Sequence, residues 1–149
     1  MMQTTESGPN ITPTNIAEFE RRYGVLLPTD YRRFLLVRNG GRPERDLFRV
    51  PDCEANPIAR VHFFFGIDDP VESCNLAWNV EVFEGRLRSG LIPIATTEGA
   101  DKICMALDDG SIVYWDGYQD VVFPVAASFD EFLQSLFRDD EYRGASGAC

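Results

Sequence analysis

Paired carboxylates are the groups in this sequence that could carry out acid–base chemistry. Three acid pairs occur, Asp68-Asp69, Asp108-Asp109 and Asp139-Asp140, and two carboxylates can in principle hydrolyse a glycosidic bond. Each pair also has a structural reason to be acidic: the first borders a predicted helix cap, the second a turn, and the third the C-terminal tail. The pattern therefore favours structural roles for these acids over catalysis.

A single histidine limits the other kinds of catalytic and metal site. Because His62 is the only histidine, one chain cannot assemble a site with two histidine ligands, and any Ser-His or Cys-His chemistry must use this residue. His62 alternates with Val61 and Phe63 in a predicted strand beside an aromatic cluster. This setting favours a partly buried, hydrogen-bonded imidazole over a general base.

The cysteines and glycines form no cofactor motif. No Cys-x-x-Cys pair occurs, so neither a zinc ribbon nor a thioredoxin-like redox pair is predicted, and no G-x-G-x-x-G or G-x-x-x-x-G-K-[ST] loop is present to hold phosphate. Asp116-Gly117-Tyr118-Gln119-Asp120 lacks the ligand spacing of a calcium loop. We predict no enzyme activity, no cofactor and no metal. The four cysteines are expected to be reduced thiols, mostly buried: Cys53, Cys74, Cys104 and Cys149.

Charge divides the chain into two unequal parts. The 149 residues carry a formal net charge of −10, with 44% hydrophobic and 26% charged residues, which is a globular composition. Residues 1–50 have a small positive excess, whereas residues 51–149 hold most of the acids. A polyanion such as nucleic acid should be repelled by this chain, because nucleic-acid binders need basic patches. The acidic part suits a basic partner.

Three amphipathic segments predict helices. The first follows Thr14 as N-cap, with Ile16 and Phe19 at helical spacing, and ends at Gly24. A second helix contains Tyr31, Phe34 and Leu35, with Asp30 in its first turn and a stop at Asn39-Gly40-Gly41. A closing helix begins at a capping box formed by Ser128 and Glu131. Its apolar stripe is Phe129, Phe132, Leu133, Leu136 and Phe137.

The middle of the chain predicts a further helix and a group of strands. Asp69-Pro70 is predicted to open a helix that ends near Gly85. Residues 42–57, with three prolines and many charges, are predicted to form a surface loop. Strands are predicted at residues 61–65, at residues 91–95 as an edge strand because of Pro93, and at residues 121–123. A hairpin is predicted from residues 103–107 and 112–115 around Asp108-Asp109-Gly110.

This order of elements predicts an α+β domain. A mainly antiparallel sheet would have the N-terminal helices, one middle helix and the C-terminal helix packed on it. We expect residues 1–13 to form a flexible N-terminal tail, residues 14–138 a single domain, and residues 139–149 a C-terminal tail. No apolar stretch is long enough to span a membrane and the N-terminus lacks signal-peptide features, so a cytoplasmic location is expected.

The strand region combines acids with aromatic residues. An acidic rim around aromatic side chains suits a protein interface and would speed capture of a basic partner. The alternative is that the acids are solubilising turn residues and the aromatics fill the core. The candidate partner-binding residues are Glu98, Asp101, Asp108, Asp109, Tyr114, Asp116, Tyr118 and Asp120, with Trp115 beside them.

A set of short motifs occurs in a recognisable order over residues 14–137. The N-terminal ones are Ile16-Ala17-Glu18-Phe19-Glu20, Tyr23-Gly24-Val25, Leu27-Pro28-Thr29-Asp30-Tyr31-Arg32, Phe34-Leu35 and Asn39-Gly40-Gly41. The later ones are Ile92-Pro93-Ile94-Ala95, Gly99 with Ile103-Cys104-Met105, residues 110–116, and residues 125–133. Together they resemble the SUKH superfamily of Smi/Knr-like proteins.

The resemblance implies a single α+β domain without enzymatic activity that binds other proteins. Bacterial members are similar to immunity proteins, which neutralise toxins, often nucleases, whereas fungal relatives resemble regulators of cell-wall synthesis. Two hypotheses follow: an immunity protein that binds a basic toxin domain through an acidic face, or a regulatory or scaffold domain that binds a host protein.

Overall fold

The computed structural model describes residues 3–54 and 57–141. The helices are α1 (Pro13–Tyr23), α2 (Thr29–Val37), α3 (Leu76–Val82) and α4 (Phe129–Ser135), with a short 3-10 helix at Glu72–Cys74. The strands are β1 (Thr4–Thr5), β2 (Arg42–Pro43), β3 (Leu47–Arg49), β4 (Ile58–Arg60), β5 (Phe63–Phe64), β6 (Leu91–Thr96), β7 (Lys102–Ala106), β8 (Ile112–Asp116) and β9 (Val121–Ala126). The α+β class predicted from the sequence is confirmed.

The central sheet is an antiparallel meander of five strands in the order β5-β6-β7-β8-β9. The predicted hairpin forms β7 and β8, where Ile103 is opposite Tyr114 and Met105 is opposite Ile112. Gly110 adopts a φ of 76° in the turn, a left-handed conformation that glycine reaches without a steric penalty. Because each strand pairs with the next one in sequence, successive turns alternate between the two ends of the sheet.

Capping residues fix the ends of the helices. Helix α1 starts two residues earlier than predicted: Thr12, not Thr14, is its N-cap, and the Thr12 backbone N–H donates to Asn15 Oδ1 at 2.8 Å. Gly24 ends the helix with a φ of 64°, as predicted. In α4 the Glu131 N–H donates to Ser128 Oγ at 3.1 Å, so the predicted cap is present.

The middle helix differs from the prediction. Asp69-Pro70 opens no α-helix; a 3-10 turn follows, and α3 begins after Asn75, whose Oδ1 accepts the Trp78 N–H at 2.9 Å. The sequence signal at Asp69 was a real cap, because its carboxylate accepts the Val71 N–H at 2.9 Å. It caps a turn instead of the helix itself.

The prediction of a surface loop at residues 42–57 is wrong for the residues that form strands. Arg42–Pro43 and Leu47–Arg49 form β2 and β3, and β3 pairs antiparallel with β4. The Phe48 side chain is fully buried against Tyr114 and Phe132, at centroid distances of 6.2 and 5.2 Å. Prolines and charges dominated the local pattern, whereas burial of a few apolar side chains decided the structure.

Two strands carry proline in different settings. Strand β6 is not the edge strand that Pro93 predicted, because β5 pairs beyond it with Ala95 and Thr96. Its register shifts between Pro93 and Ala95, which accommodates the missing amide donor. Strand β9 extends through Pro124 and lies at the edge of the sheet.

The predicted tails contact the domain where they are described. Thr4–Thr5 pairs with Arg42–Pro43, and the Gly8 N–H donates to the Asn39 carbonyl at 3.0 Å. At the other end Asp139 pairs with Arg60 at 3.2 Å. The flexibility expected for residues 1–13 and 139–149 stays a prediction, and residues 142–149 lie outside the described part of the chain.

The sheet buries both of its faces. On one face Ile103, Met105, Ile112 and Tyr114 join the main core, which also contains side chains from α1, α2 and α4. Alternation along the strands sends Cys104, Val113 and Trp115 to the other face, where they pack with Phe83, which follows α3. We call the face of the sheet that carries Cys104, Val113 and Trp115 the second face.

Candidate functional site

The acid pairs and the histidine are not brought together in the described structure. Asp69 and Asp109 each accept a nearby backbone N–H, at 2.9 Å in both cases, and Asp139 pairs with an arginine. His62 is half-buried with its ring 5.0 Å from that of Phe63. The acids lie in separate turns and His62 lies next to a strand. Such dispersed positions are typical of structural roles.

The meander places the candidate partner-binding acids at two opposite ends of the sheet. Residues 97–101 and 117–120 connect β6 to β7 and β8 to β9 at one end, which we call the acidic turn end. Asp108 and Asp109 lie in the β7–β8 turn at the other end. Five strand residues at about 3.3 Å each separate the two ends by roughly 15 Å, so the eight predicted residues do not form one patch.

Asp101 ties the two connections of the acidic turn end together. Its Oδ1 accepts the Gly117 N–H at 2.9 Å, and its Oδ2 accepts the Tyr114 hydroxyl. A Cβ on Gly117 would lie 2.8 Å from the Ala100 carbonyl oxygen, so glycine is needed for this close approach. The two loops are therefore held as one surface.

Asp116 and Asp120 shape the β8–β9 connection. Asp116 Oδ1 accepts the backbone N–H groups of Tyr118 and Gln119 at 2.9 and 3.0 Å, which is an aspartate-stabilised turn. Asp120 Oδ1 accepts the Trp115 indole N–H at 2.9 Å. Both carboxylates thus have a structural function through Oδ1. Among the described residues, neither carboxylate forms an ion pair with a basic side chain.

The three aromatic residues of this region have different environments. Tyr114 is 1% exposed and belongs to the main core, because strand alternation turns its ring toward the helices. Its role in partner binding stays a prediction. Trp115 is buried on the opposite face. Tyr118, by contrast, is 88% exposed at the tip of the acidic turn end. Of these three residues, only Tyr118 presents its ring to solvent.

Among the described residues, the acids of the sheet region form no ion pair with a basic side chain. Residues 91–126 contain six acids and one lysine. Within residues 3–54 and 57–141, arginines form ion pairs with acids elsewhere, such as Arg32 with Glu20 at 2.9 Å and Arg60 with Asp46 at 2.6 Å. None of the ion pairs in these ranges involves the six acids of the sheet. The negative charge at both ends of the sheet is thus open to solvent.

Sequence reasoning missed a buried cation beside this end. Lys102 lies on the second face of the sheet, 8% exposed, with its Nζ 5.1 Å from the centre of the Phe83 ring. Burial lowers the pKa of Lys102 below its usual value, while Cys104 and Asp101 oppose that shift. The sequence did contain a signal for this position. Residues two apart in a strand point to the same face, so the predicted strand places Lys102 on the same face as Cys104.

The described cysteines differ in accessibility. Cys53 and Cys104 are buried and Cys74 is half-buried, all as free thiols, and Cys149 lies outside the described residues. Burial raises the pKa of Cys104 to about 12, so this thiol stays protonated.

In the described part of the chain no three His, Cys, Asp or Glu side chains are grouped to hold a metal ion.

The described residues form an α+β fold with a helix-backed antiparallel meander and an acidic end made by strand connections. The chain belongs to the SMI1 / KNR4 family (SUKH-1), whose sequence model matches residues 10–135. The resemblance predicted from the ordered motifs is confirmed. No helix among the described residues is long and apolar enough to cross a membrane.

A relative from a bacterial prophage is similar over most of the chain. It is the SPbeta prophage-derived uncharacterized protein YokK of Bacillus subtilis (strain 168), 29% identical, with the match covering 84% of this chain and 74% of the relative.

Proposed function

We propose that this protein is a non-enzymatic immunity-type protein that neutralises a basic toxin domain by stoichiometric binding at the acidic turn end. The observation that carries the proposal is the exposed Tyr118 ring surrounded by acids that no arginine of the described chain neutralises. Membership of the SUKH family supports a protein-binding role. The binding would take place in the cytoplasm, where a delivered toxin acts.

Charge complementarity supports a basic partner. A nuclease is positively charged where it holds phosphate, and an acidic protein can occupy that surface in place of the substrate. Uncompensated carboxylates raise the association rate, whereas a buried aromatic side chain supplies affinity near the centre of an interface. Tyr118 and the surrounding acids match these two roles.

The eight candidate residues have different roles in this proposal. Glu98 and Tyr118 are exposed and would contact the partner directly. Asp101, Asp116 and Asp120 hold the connections in shape through one oxygen and contribute charge. Tyr114 supports the surface from inside by its bond to Asp101. Asp108 and Asp109, at the far end of the sheet, would contribute only long-range attraction.

The first experiment identifies the partner and its salt dependence. The tagged protein is used to capture partners from its own source at low and high salt, followed by mass spectrometry. A stoichiometric basic protein that salt releases is expected, because screening weakens exposed charge pairs. A salt-resistant partner without a basic surface would contradict the proposal and favour the regulatory or scaffold alternative.

The second experiment tests the surface with variants that keep the turns intact. Glu98→Gln, Asp116→Asn and Asp120→Asn together remove three charges but keep the acceptor oxygens, and Tyr118→Ala removes the exposed ring. We expect each variant to weaken binding by about tenfold or more, the charge variant chiefly through the association rate. Surface plasmon resonance with the captured partner measures both rate constants.

A matched control comes from the opposite end of the sheet. Asp108→Asn with Asp109→Asn removes two charges from the other turn and should change the affinity by less than about threefold at physiological salt. If this control weakens binding as much as the acidic-turn-end variants, or if Tyr118→Ala has no effect, the surface is assigned wrongly.

A further inference from the structure

Four strands contribute one continuous row of side chains to the second face of the sheet. The register places Phe63 opposite Thr96, Thr96 opposite Lys102, and Lys102 opposite Trp115. Directly opposed residues of neighbouring strands point to the same face and lie about 5 Å apart. The row therefore combines a hydroxyl and an ammonium group with aromatic rings on either side.

Helix α3 and its C-terminal end cover part of this row and leave a cavity. Its volume is about 200 Å³, and Phe63, Thr96 and Lys102 form the sheet side. Trp78, Asn79 and Phe83 line it from the helix side. The nine lining residues comprise four aromatic residues, Val82 and four polar residues. Apolar walls with a few placed polar groups are typical of a small-molecule site.

Lys102 supplies this cavity with a charge that forms no ion pair among the described residues, although the Asp101 carboxylate acts on it at longer range. It is the only lysine of the chain and is more than nine-tenths buried. Its Nζ donates to the carbonyl oxygens of Ala100 and Asp101, both at 3.3 Å, which is long for a hydrogen bond. In the two described ranges no carboxylate lies within ion-pair distance of it, since the Asp101 carboxylate bonds to Gly117 and Tyr114.

A second cation lies on the same aromatic surface. The Arg86 guanidinium is 5.1 Å from the centre of the Phe83 ring and 5.4 Å from that of Trp115. Cation–ring contacts offset only part of the free energy lost when a charge leaves water. Arg86 is itself exposed and does not line the cavity. The charge in this partly open cavity therefore comes from Lys102, which suits the cavity to an anion.

We propose that this cavity binds a small organic carboxylate that carries one flat apolar ring. The carboxylate would accept hydrogen bonds from Lys102 Nζ, and the ring would lie among Phe63, Trp78 and Phe83. The cavity volume limits the ligand to about one ring. This role is additional to protein binding and does not rest on it, because the cavity lies on the second face and not on the exposed tip of the acidic turn end.

Benzoate is the probe that tests this proposal on the full chain. Because Lys102 is the only lysine, selective ¹⁵N-lysine labelling gives a single backbone amide resonance that reports on the cavity. We expect a saturable shift of this resonance with a Kd on the order of 1 mM or tighter. Benzyl alcohol has the same ring without the charge and should bind at least about tenfold more weakly.

Variants distinguish recognition by Lys102 from nonspecific binding. In isothermal titration with benzoate, Lys102→Met and Lys102→Gln should each weaken binding by at least about tenfold, whereas Arg88→Gln, which removes an exposed cation outside the cavity, should leave it unchanged. Circular dichroism verifies that each variant is folded. Equal binding of benzoate and benzyl alcohol, unchanged binding in both Lys102 variants, or no saturation up to about 10 mM would each overturn the proposal.

Discussion

At the scale of single residues, the second face of the sheet determines how two titratable side chains behave. Cys104 and Lys102 are neighbours on this face, and both are kept largely from water. Burial disfavours the charged form of each group, so the pKa of the thiol rises and the pKa of the ammonium falls. Neither effect follows from residue type, because the same side chains on an exposed strand would titrate normally.

The raised pKa of Cys104 predicts a loss of stability in alkali. In the unfolded chain this thiol ionises near pH 9, whereas in the folded protein it stays protonated until about pH 12. The folded state therefore binds more protons between these values, and the free energy of unfolding falls as pH rises. Urea titrations from pH 8 to 10 should show this slope, and it should be smaller in Cys104→Ala.

Four other groups contribute to the same pH range and must be compared. Burial raises the pKa of Cys74 and of Tyr23, so both add to the fall in stability as pH rises. Burial also raises the pKa of Tyr31, whose hydroxyl has no hydrogen-bond partner among the described residues, so it steepens the fall above pH 10. The lowered pKa of Lys102 acts in the opposite direction, because its unfavourable buried charge is lost as pH rises toward 10.5. A Cys104→Ala variant with the same slope as the parent would contradict the first prediction.

At the scale of elements, Asn39 joins three segments that are distant in sequence. It follows α2 and is 2% exposed. Its Nδ2 donates to the carbonyl oxygens of Pro9 and Ile67 at 2.8 and 2.9 Å, and its Oδ1 accepts the Ile67 N–H at 2.8 Å. The N-terminal segment, the end of α2 and the segment after β5 are thereby connected through one side chain.

Removal of this amide should destabilise the domain measurably. Asn39→Ala leaves buried backbone groups of Ile67 and Pro9 without partners, and each such group costs about 1–3 kcal/mol. We expect the free energy of unfolding to fall by about 2–4 kcal/mol in chemical denaturation. Asn10→Ala, an exposed asparagine in the same N-terminal segment, is the control and should change stability by less than about 0.5 kcal/mol. Equal effects of the two variants would show that Asn39 is not the connecting residue.

At the scale of the whole molecule, the distribution of ion pairs matters more than the net charge of −10. The helical and N-terminal regions neutralise many of their acids with arginine, as Glu20 does with Arg32. The sheet connections leave their acids unpaired in the described structure. The repulsion among these acids slightly destabilises the folded state and leaves the charge available for a partner.

This distribution predicts opposite effects for two kinds of charge removal. Glu98→Gln with Asp108→Asn should raise the free energy of unfolding at low salt by up to about 1 kcal/mol, and the gain should shrink as NaCl screens the repulsion. Glu20→Gln should lower stability by about 1–2 kcal/mol, because Glu20 accepts bonds from Arg32 and from the Leu27 N–H. Thermal denaturation at two salt concentrations measures the change in the free energy of unfolding of both variants. If both variants changed stability in the same direction, this interpretation would be refuted.

Local sequence patterns predict the elements that depend on interactions between neighbouring residues. The β7–β8 hairpin, the Gly24 helix end, the Ser128 cap and the α+β class follow from local turn chemistry and apolar periodicity, which act over a few residues. The family resemblance also came from such local motifs in order. Caps were misplaced by a few residues at α1 and α3, because several residues nearby could cap the same helix.

Which of these elements pack together depends on contacts between distant parts of the chain. Burial of Phe48 against Tyr114 and Phe132 turned the predicted loop into strands, and strand alternation put Tyr114 in the core. The order of the meander separated Asp108 and Asp109 from the acidic turn end. The register across four strands aligned Lys102 with Phe63 and Trp115. Contacts between residues far apart in sequence determine all of these, and neither local propensity nor composition encodes them.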